Sequence, residues 1–290
     1  MTVSGLVVNK AVIPAAGMGA RLLPATKEQP KEMLPVFARG LNGQGCLKPL
    51  LQLVFEQLFD AGIHEFYFVI GKGKRAIEDH FTQDYGFTDI LRRRGRGASA
   101  AEMEAFYSRL DRATILWISQ PEPKGFGDAV LMARSSVGSE DFLVHAGDTY
   151  IVCEDCSHLK RLRGVFEEFD ADAVFAVKET DDPSQKGIVD VEPIREKVHR
   201  VKRAVEKPDL SSSNLAIEPL YFFKPVIFQA LCQLGPGKGG EIQLTDGIQR
   251  LVEKNLTVLA VELNADEVGL DIGSPETYWY SLKRSYERVI

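Results

Sequence analysis

The chain has 290 residues, 44 % hydrophobic and 26 % charged, with a net charge of −6; this is ordinary globular composition with ample material for a core. The acidic balance disfavours nonspecific binding to nucleic acid or an anionic membrane, and no window approaches the ~18 uninterrupted apolar residues of a membrane span. Four scattered cysteines (Cys46, Cys153, Cys156, Cys232) form no disulfide framework and the first residues lack the basic-then-apolar order of a secretory signal, so the expected setting is the cytoplasm.

In chain order, residues 10–13 predict a short strand. Residues 49–61 carry apolar side chains at helical spacing (Leu50, Leu51, Val54, Leu58) and stop before Gly62. A buried strand over 66–70 and a helix over 74–81 come next. Residues 82–112 form a polar insert containing Arg92-Arg93-Arg94-Gly95-Arg96-Gly97, with one helix over 101–110. On an acidic protein that arginine run reads as a solvated or subunit-contacting face. Strands are expected over 115–118 and 142–146, a helix over 158–169, a strand over 173–177 and an antiparallel section over 188–205. The last part reads as strand 216–223, helices 226–234 and 245–254, strand 257–262 and helix 275–288. This alternation predicts an α/β fold with a mixed, mainly parallel central sheet, helices on both faces and a small antiparallel subregion. No repeat or linker divides it, so a single domain is expected.

The segment after the first strand, Pro14-Ala15-Ala16-Gly17-Met18-Gly19-Ala20-Arg21, offers small residues where backbone amides can meet an anion. Arg21 and Lys31 add fixed positive charge, which suits a nucleoside triphosphate. Two familiar phosphate motifs fail: Leu22 stands where a dinucleotide fingerprint needs its third glycine, and no Gly-Lys is followed by Ser or Thr. Asp148 directly follows a buried strand, where ligands gather in open α/β sheets, and Asp271 has similar placement in Gly269-Leu270-Asp271-Ile272-Gly273. Either aspartate alone reads as a turn or cap; magnesium takes one or two carboxylates plus substrate phosphates. Gln120 opens a Pro/Gly-rich loop, and its amide can pair with the N3–H and O4 edge of a pyrimidine, or with adenine. Cys153-Glu154-Asp155-Cys156 lacks the second ligand pair of a zinc site and reads as a helix start. The five histidines find no Ser or Cys partner by spacing, which leaves nucleophilic triads without support.

Gly17-Met18-Gly19-Ala20-Arg21-Leu22, Pro24-Ala25-Thr26-Lys27 and Pro30-Lys31-Glu32-Met33-Leu34-Pro35 together resemble the opening of sugar nucleotidyltransferases. The Lys-Glu-Met-Leu-Pro ending is most similar to the prokaryotic UTP–glucose-1-phosphate uridylyltransferases, as are Glu206-Lys207-Pro208, Ser213-Asn214-Leu215-Ala216 and the segment from Pro236 to Asp246. The resemblance implies a Rossmann-like nucleotidyltransferase domain, with a nucleotide-binding part over 8–150, a sugar-phosphate part over 151–275 and a C-terminal helix over 275–290. It implies that Ala15, Ala16, Gly17 and Gly19 grip the nucleotide, that Arg21 and Lys31 hold the triphosphate, and that Gln120, Gly125 and Gly127 recognise the base. It places Gly187, Glu206, Lys207 and Glu241 around the sugar phosphate, gives catalytic roles to Arg21, Lys31 and Lys207, and puts Mg2+ on Asp148 and Asp271. UTP and a sugar 1-phosphate are then the substrates, and a homo-oligomer, dimer or tetramer, is expected. Three positions depart from the family pattern: Ala20 for threonine, Lys186 for an aromatic residue, and Asp-Ile-Gly for Asp-Cys-Gly. The alternatives are a thymidylyltransferase, a UTP enzyme for another sugar phosphate, or a nucleotide-sugar-binding regulatory subunit. Retention of both aspartates and both loop cations argues against the last.

Overall fold

The computed structural model describes residues 8–153, 157–210 and 213–289. Glu154, Asp155 and Cys156 of the expected helix start therefore lie outside the described residues. The N-terminal half runs β1 (Lys10–Ala15), β2 (Pro35–Arg39), β3 (Gly45–Pro49), α1 (Leu50–Asp60), β4 (Glu65–Gly71), α2 (Arg75–His80), α3 (Tyr85–Arg93), α4 (Gly97–Leu110), β5 (Thr114–Gln120), α5 (Phe126–Met132), α6 (Arg134–Val137), β6 (Phe142–His145) and β7 (Thr149–Val152). The C-terminal half continues with α7 (Ser157–Glu168), β8 (Ala173–Glu179), β9 (Gly187–Arg195), β10 (Val198–Glu206), β11 (Leu215–Phe223), α8 (Val226–Leu231), α9 (Leu244–Glu253), β12 (Val258–Glu262), β13 (Val268–Asp271) and α10 (Pro275–Val289). Among the described residues no helix is long and apolar enough to cross a membrane.

Nine strands form one sheet in the order β5-β4-β1-β6-β11-β8-β12-β10-β9. Pairs β5–β4, β4–β1, β1–β6 and β8–β12 are parallel; β6–β11, β11–β8, β12–β10 and β10–β9 are antiparallel. The sheet is thus mixed as expected, but the mainly parallel reading holds only for its N-terminal side. Strand connections explain the split: crossovers that contain helices feed parallel neighbours, whereas the short turn between β9 and β10 makes a hairpin.

Successive strand residues face opposite cores. Ala11, Ile13, Phe66, Phe68, Val174 and Phe222 pack on one face against α1, α2, α4 and α7. Val12, Tyr67, Val69, Phe175 and Phe223 pack on the other against α5, α6, α8 and α9. Continuous apolar runs such as Phe66 to Ile70 are what a strand covered on both sides requires. Phe55 of α1 sits with its ring 4.6 Å from Phe66 and 5.4 Å from Phe81; truncating such a ring to alanine costs ~3–5 kcal/mol. The expected stop at Gly62 is a real helix end: Gly62 (φ 95°) donates to Phe59 O and Ile63 to Leu58 O, satisfying the last carbonyls.

Four features differ from the sequence reading. The polar insert is two helices, not one, with Arg92 Nε donating to Glu104 Oε1 at 2.9 Å across the α3–α4 pair. The loop after Gln120 folds into α5. Residues 35–49 make the β2–β3 hairpin. Finally, β7 and β13 pair as a separate antiparallel ribbon with Thr149 opposite Asp271. No hydrophobic period announces strands this short, and only their mutual pairing makes them strands.

Candidate active site

The turn after β1 is held by one glycine and one threonine. Gly19 has φ 65° and accepts a 2.8 Å hydrogen bond from Thr26 Oγ1. A Cβ on Gly19 would stand 3.1 Å from Thr26 Cβ, so both conformation and space demand glycine there. Lys31 opens a short 3-10 turn, Lys31–Met33, that throws adjacent side chains in opposite directions. Lys31 Nζ reaches Asp148 Oδ2 in an ion pair, while Glu32, 1 % exposed, turns inward to Lys74 Nζ at 2.7 Å. Burial pushes the Glu32 carboxyl above its ordinary range, with Lys74 and Lys31 opposing the rise.

Asp148 leaves β6 at the carboxyl edge of the parallel strands. The ribbon carries Asp271 to it: Asp271 pairs in register with Thr149, and Ile272 N donates to Asp148 O at 2.9 Å. Burial opposes ionisation of Asp148, but the Lys31 charge and hydrogen bond outweigh it and hold the carboxyl below its ordinary range. Asp271 is pushed up by burial and next by the Asp148 charge, against the weaker pull of Lys31, Thr277 and Lys186. Burial works against the Lys31 ammonium, yet Asp148 and Glu32 leave its pKa raised. Gly273 keeps this corner open. A Cβ there would stand 2.6 Å from Asp271 Oδ2 and 3.2 Å from Arg21 Nη2, so the guanidinium and the second carboxylate converge on one point.

Beyond the aspartates lies a cavity of about 600 Å3 lined by Arg21, Asp148, Asp271, Gly187, Glu206 and Lys207, among others. Gly187 and Glu206 face each other in register across the β9–β10 hairpin. Thr245, in the first turn of α9, donates from Oγ1 to Glu206 Oε2 at 2.7 Å. A Cβ on Gly187 would stand 2.6 Å from that hydroxyl and 3.1 Å from Glu206 Oε2. Lys207 (φ 44°) donates its backbone N–H to Lys186 O at 3.0 Å, and its Nζ lies 3.2 Å from Glu206 Oε1.

A smaller cavity of about 330 Å3 opens on the other side of the loop, walled by Ala16, Gly17, Thr26, Gly71, Lys74 and Gln120. Gln120 Nε2 donates to Gly125 O at 3.2 Å and to Asp128 Oδ2 at 2.7 Å. Gly125 and Gly127 also make room for the chain at 241–243: a Cβ on Gly125 would meet Ile242 O at 2.6 Å, and one on Gly127 would meet Gln243 C at 2.9 Å. Ala15 is buried in the core. Glu241 is exposed outside both cavities, with its Oε2 accepting from Gln243 Nε2 at 3.1 Å. A larger cavity, about 660 Å3, lies behind the ribbon and contains none of these residues.

Residues 10–287 match the family model described as nucleotidyl transferase. The chain belongs to the nucleotidyl transferase family. It is 38 % identical over 283 residues to a UTP–glucose-1-phosphate uridylyltransferase of Staphylococcus saprophyticus, covering 95 % of this chain and 93 % of that one. To the UTP–glucose-1-phosphate uridylyltransferase of Pseudomonas aeruginosa it is 35 % identical over 287 residues, 97 % of each chain. The solved UDP-glucose pyrophosphorylase complexed with UDP-glucose superposes with a TM-score of 0.82 at 30 % identity, over 97 % of this chain and 99 % of that one.

Side chains of this transferase that sequence reasoning passed over are Thr245, Glu218, Glu32, Lys74 and Thr277. Thr245 and Glu32 sit inside motifs that were recognisable, so their presence near the site had a signal. Glu218, in an apolar strand, had only the oddity of an acid among Leu, Ile and Phe. Thr277 accepts from Gly273 N at 3.1 Å and Ser274 N at 2.9 Å, capping the turn beside Asp271.

Proposed function

We propose that this nucleotidyl transferase joins UTP to glucose 1-phosphate, giving UDP-glucose and pyrophosphate, within one domain whose N-terminal part takes the nucleotide. The observation that carries the reading is the meeting of Asp148 and Asp271, with Arg21 and Lys31, at the edge of the 600 Å3 cavity. The names of the relatives supply the substrates, and one sheet running through both halves supports a single domain.

An oxygen of the sugar phosphate attacks the α-phosphorus of UTP, the new P–O bond forms, and the bond from that phosphorus to the bridging oxygen breaks to release pyrophosphate. A phosphate monoester has its second pKa at about 6, so the attacking oxygen is already charged at neutral pH and no base is required. Catalysis is then alignment and charge neutralisation. Lys207 orients the attacking phosphate, and Glu206, braced by Thr245, accepts from sugar hydroxyls. Arg21 and Lys31 face the departing pyrophosphate. Asp148 and Asp271 fit magnesium: Asp148 already pairs with Lys31, and burial followed by the Asp148 charge pushes the Asp271 carboxyl up, so a further cation between the two would relieve it. Magnesium held there would supply neutralisation of phosphate charge.

Gln120 is compatible with a uracil base. Its amide nitrogen is committed to two acceptors, which turns Oε1 the opposite way as an acceptor. An imide N3–H matches that acceptor, and the exocyclic amines of adenine and cytosine match it as well, so the choice of uracil rests on the names of the relatives. The test is pyrophosphate release with Mg2+, glucose 1-phosphate and each nucleoside triphosphate in turn. Release with UTP, reduced ~1,000-fold in Asp148→Ala, is the expected result. Equal release with dTTP would replace the uridylyl assignment, and silence with every triphosphate would overturn the reaction.

A further inference from the structure

The sugar side of the cavity carries an ion pair that the reaction above does not use. Lys186 Nζ stands 2.7 Å from Glu218 Oε1, and both side chains line the cavity beside Gly187, Glu206 and Lys207. The Glu218 side chain is 8 % exposed and that of Lys186 43 %. A carboxylate buried in an apolar strand is costly unless paired, and several features of the fold converge to keep it there. Strand β11 loses register with β8 between Ile217 and Tyr221, so Glu218 lies in the stretch that leaves the ladder. Gly269 leaves room for it, since a Cβ at that position would stand 3.0 Å from Glu218 Oε2. Lys186 is anchored through its carbonyl, which accepts from Lys207 N. The pair is therefore built next to the groups assigned to the sugar phosphate.

A cation already matched by a carboxylate adds little net charge for phosphate binding. It does present a donor beside an acceptor, the complement of a hydroxyl, which both donates and accepts. Resting on the proposed reaction, we propose that Lys186 and Glu218 are the specificity-determining pair that reads one ring hydroxyl of the hexose 1-phosphate. The hydroxyl donates to Glu218 and accepts from Lys186. A site built to hydrogen-bond a hydroxyl rejects the analogue lacking it far more strongly than an apolar pocket rejects a missing methylene, because its polar groups are left unmatched. The enzyme accordingly prefers fully hydroxylated hexose 1-phosphates to the deoxy sugar that lacks the hydroxyl read here.

The experiment measures kcat/KM with UTP for glucose 1-phosphate and its 2-, 3-, 4- and 6-deoxy analogues. It compares wild type with the double variant Lys186→Met, Glu218→Leu, which removes both charges and strands neither. One analogue should fall at least ~100-fold below glucose 1-phosphate in wild type, and the gap should shrink to ~5-fold in the double variant with KM for UTP unchanged. An unchanged gap in the double variant, or a wild type that discriminates against no analogue, overturns the assignment. Should the double variant not fold, Glu218→Gln carries the same comparison, and the gap should then narrow ~10-fold. A wild type that turns over no hexose 1-phosphate with UTP would instead strike the proposed reaction, so the two failures are distinct.

Discussion

The two cavities are made differently. Around the smaller one, parallel strands β1, β4 and β5 end in loops, and the loop after β1 offers backbone and small residues with Lys31 behind it. Around the 600 Å3 cavity, antiparallel strands β9, β10 and β11 present side chains directly, and Gly187, Glu206, Glu218 and Lys186 come from strands or their ends. A loop that offers amides to phosphate must keep its side chains small and so leaves a contiguous motif. A wall of strand side chains is assembled from residues far apart in sequence. In the proposed reaction, chemistry common to all substrates is thus concentrated in a readable stretch, and discrimination between sugars is dispersed.

Substitutions can sharpen that contrast. Lys31→Ala should have the largest effect, a ~1,000-fold fall in turnover with UTP and glucose 1-phosphate, read by pyrophosphate release. If that variant keeps near wild-type turnover, the loop is a structural turn and the comparison breaks. Gly187→Ala tests the opposite wall. Its Cβ would press on Thr245 Oγ1 and Glu206 Oε2, so KM for glucose 1-phosphate should rise ~30-fold, about 2 kcal/mol, with KM for UTP unmoved. An equal rise for both substrates would show that the walls are not separable.

Gly273→Ala probes the point where the halves meet. The atoms in its way are the ends of the Asp271 and Arg21 side chains, which can swing aside without disturbing the backbone. The expected outcome is a ~10-fold loss of kcat, about 1.4 kcal/mol, at an unchanged melting temperature. A drop in melting temperature matching the loss of activity would assign the glycine to packing instead.

A last effect, on stability and not on turnover, concerns the base of the ribbon. Glu267, 1 % exposed, accepts from Arg161 Nη2 at 2.7 Å and Asn264 N at 2.6 Å; burial raises its pKa, but these bonds win and hold it at about 2. A depressed carboxylate stabilises the fold above its ordinary pKa of 4.5, and the contribution fades as pH falls from there toward 2. Wild type should therefore exceed Glu267→Gln in unfolding free energy by up to about 3 kcal/mol at neutral pH. Denaturant titrations at several pH values should find the difference closing below pH 4.5; a difference independent of pH would mean that Glu267 acts through shape alone.

The amino-acid sequence by itself determined the strands of the doubly covered sheet, the helix stop at Gly62 and the loop from Gly17 to Lys31. Each depends on neighbours within one element: an apolar run, a glycine past a helix end, a string of small residues. It also marked Asp148 by its place after a strand. What only the tertiary structure decided is who meets whom. Asp271 comes to Asp148 because β7 and β13, too short to announce themselves, pair across more than a hundred residues. Gly125 and Gly127 serve the segment at 241–243 because a distant turn lands on them. The α5 helix, the second helix of the arginine-rich insert and the β2–β3 hairpin were equally silent, because short elements are stabilised by what they pack against. Glu218 meets Lys186 where strand β11 loses its register with β8, and no local pattern encodes that break. Local preferences act over a few residues and can be read along a chain; register, bulges and close approaches are properties of pairs, and they exist only once the chain has folded.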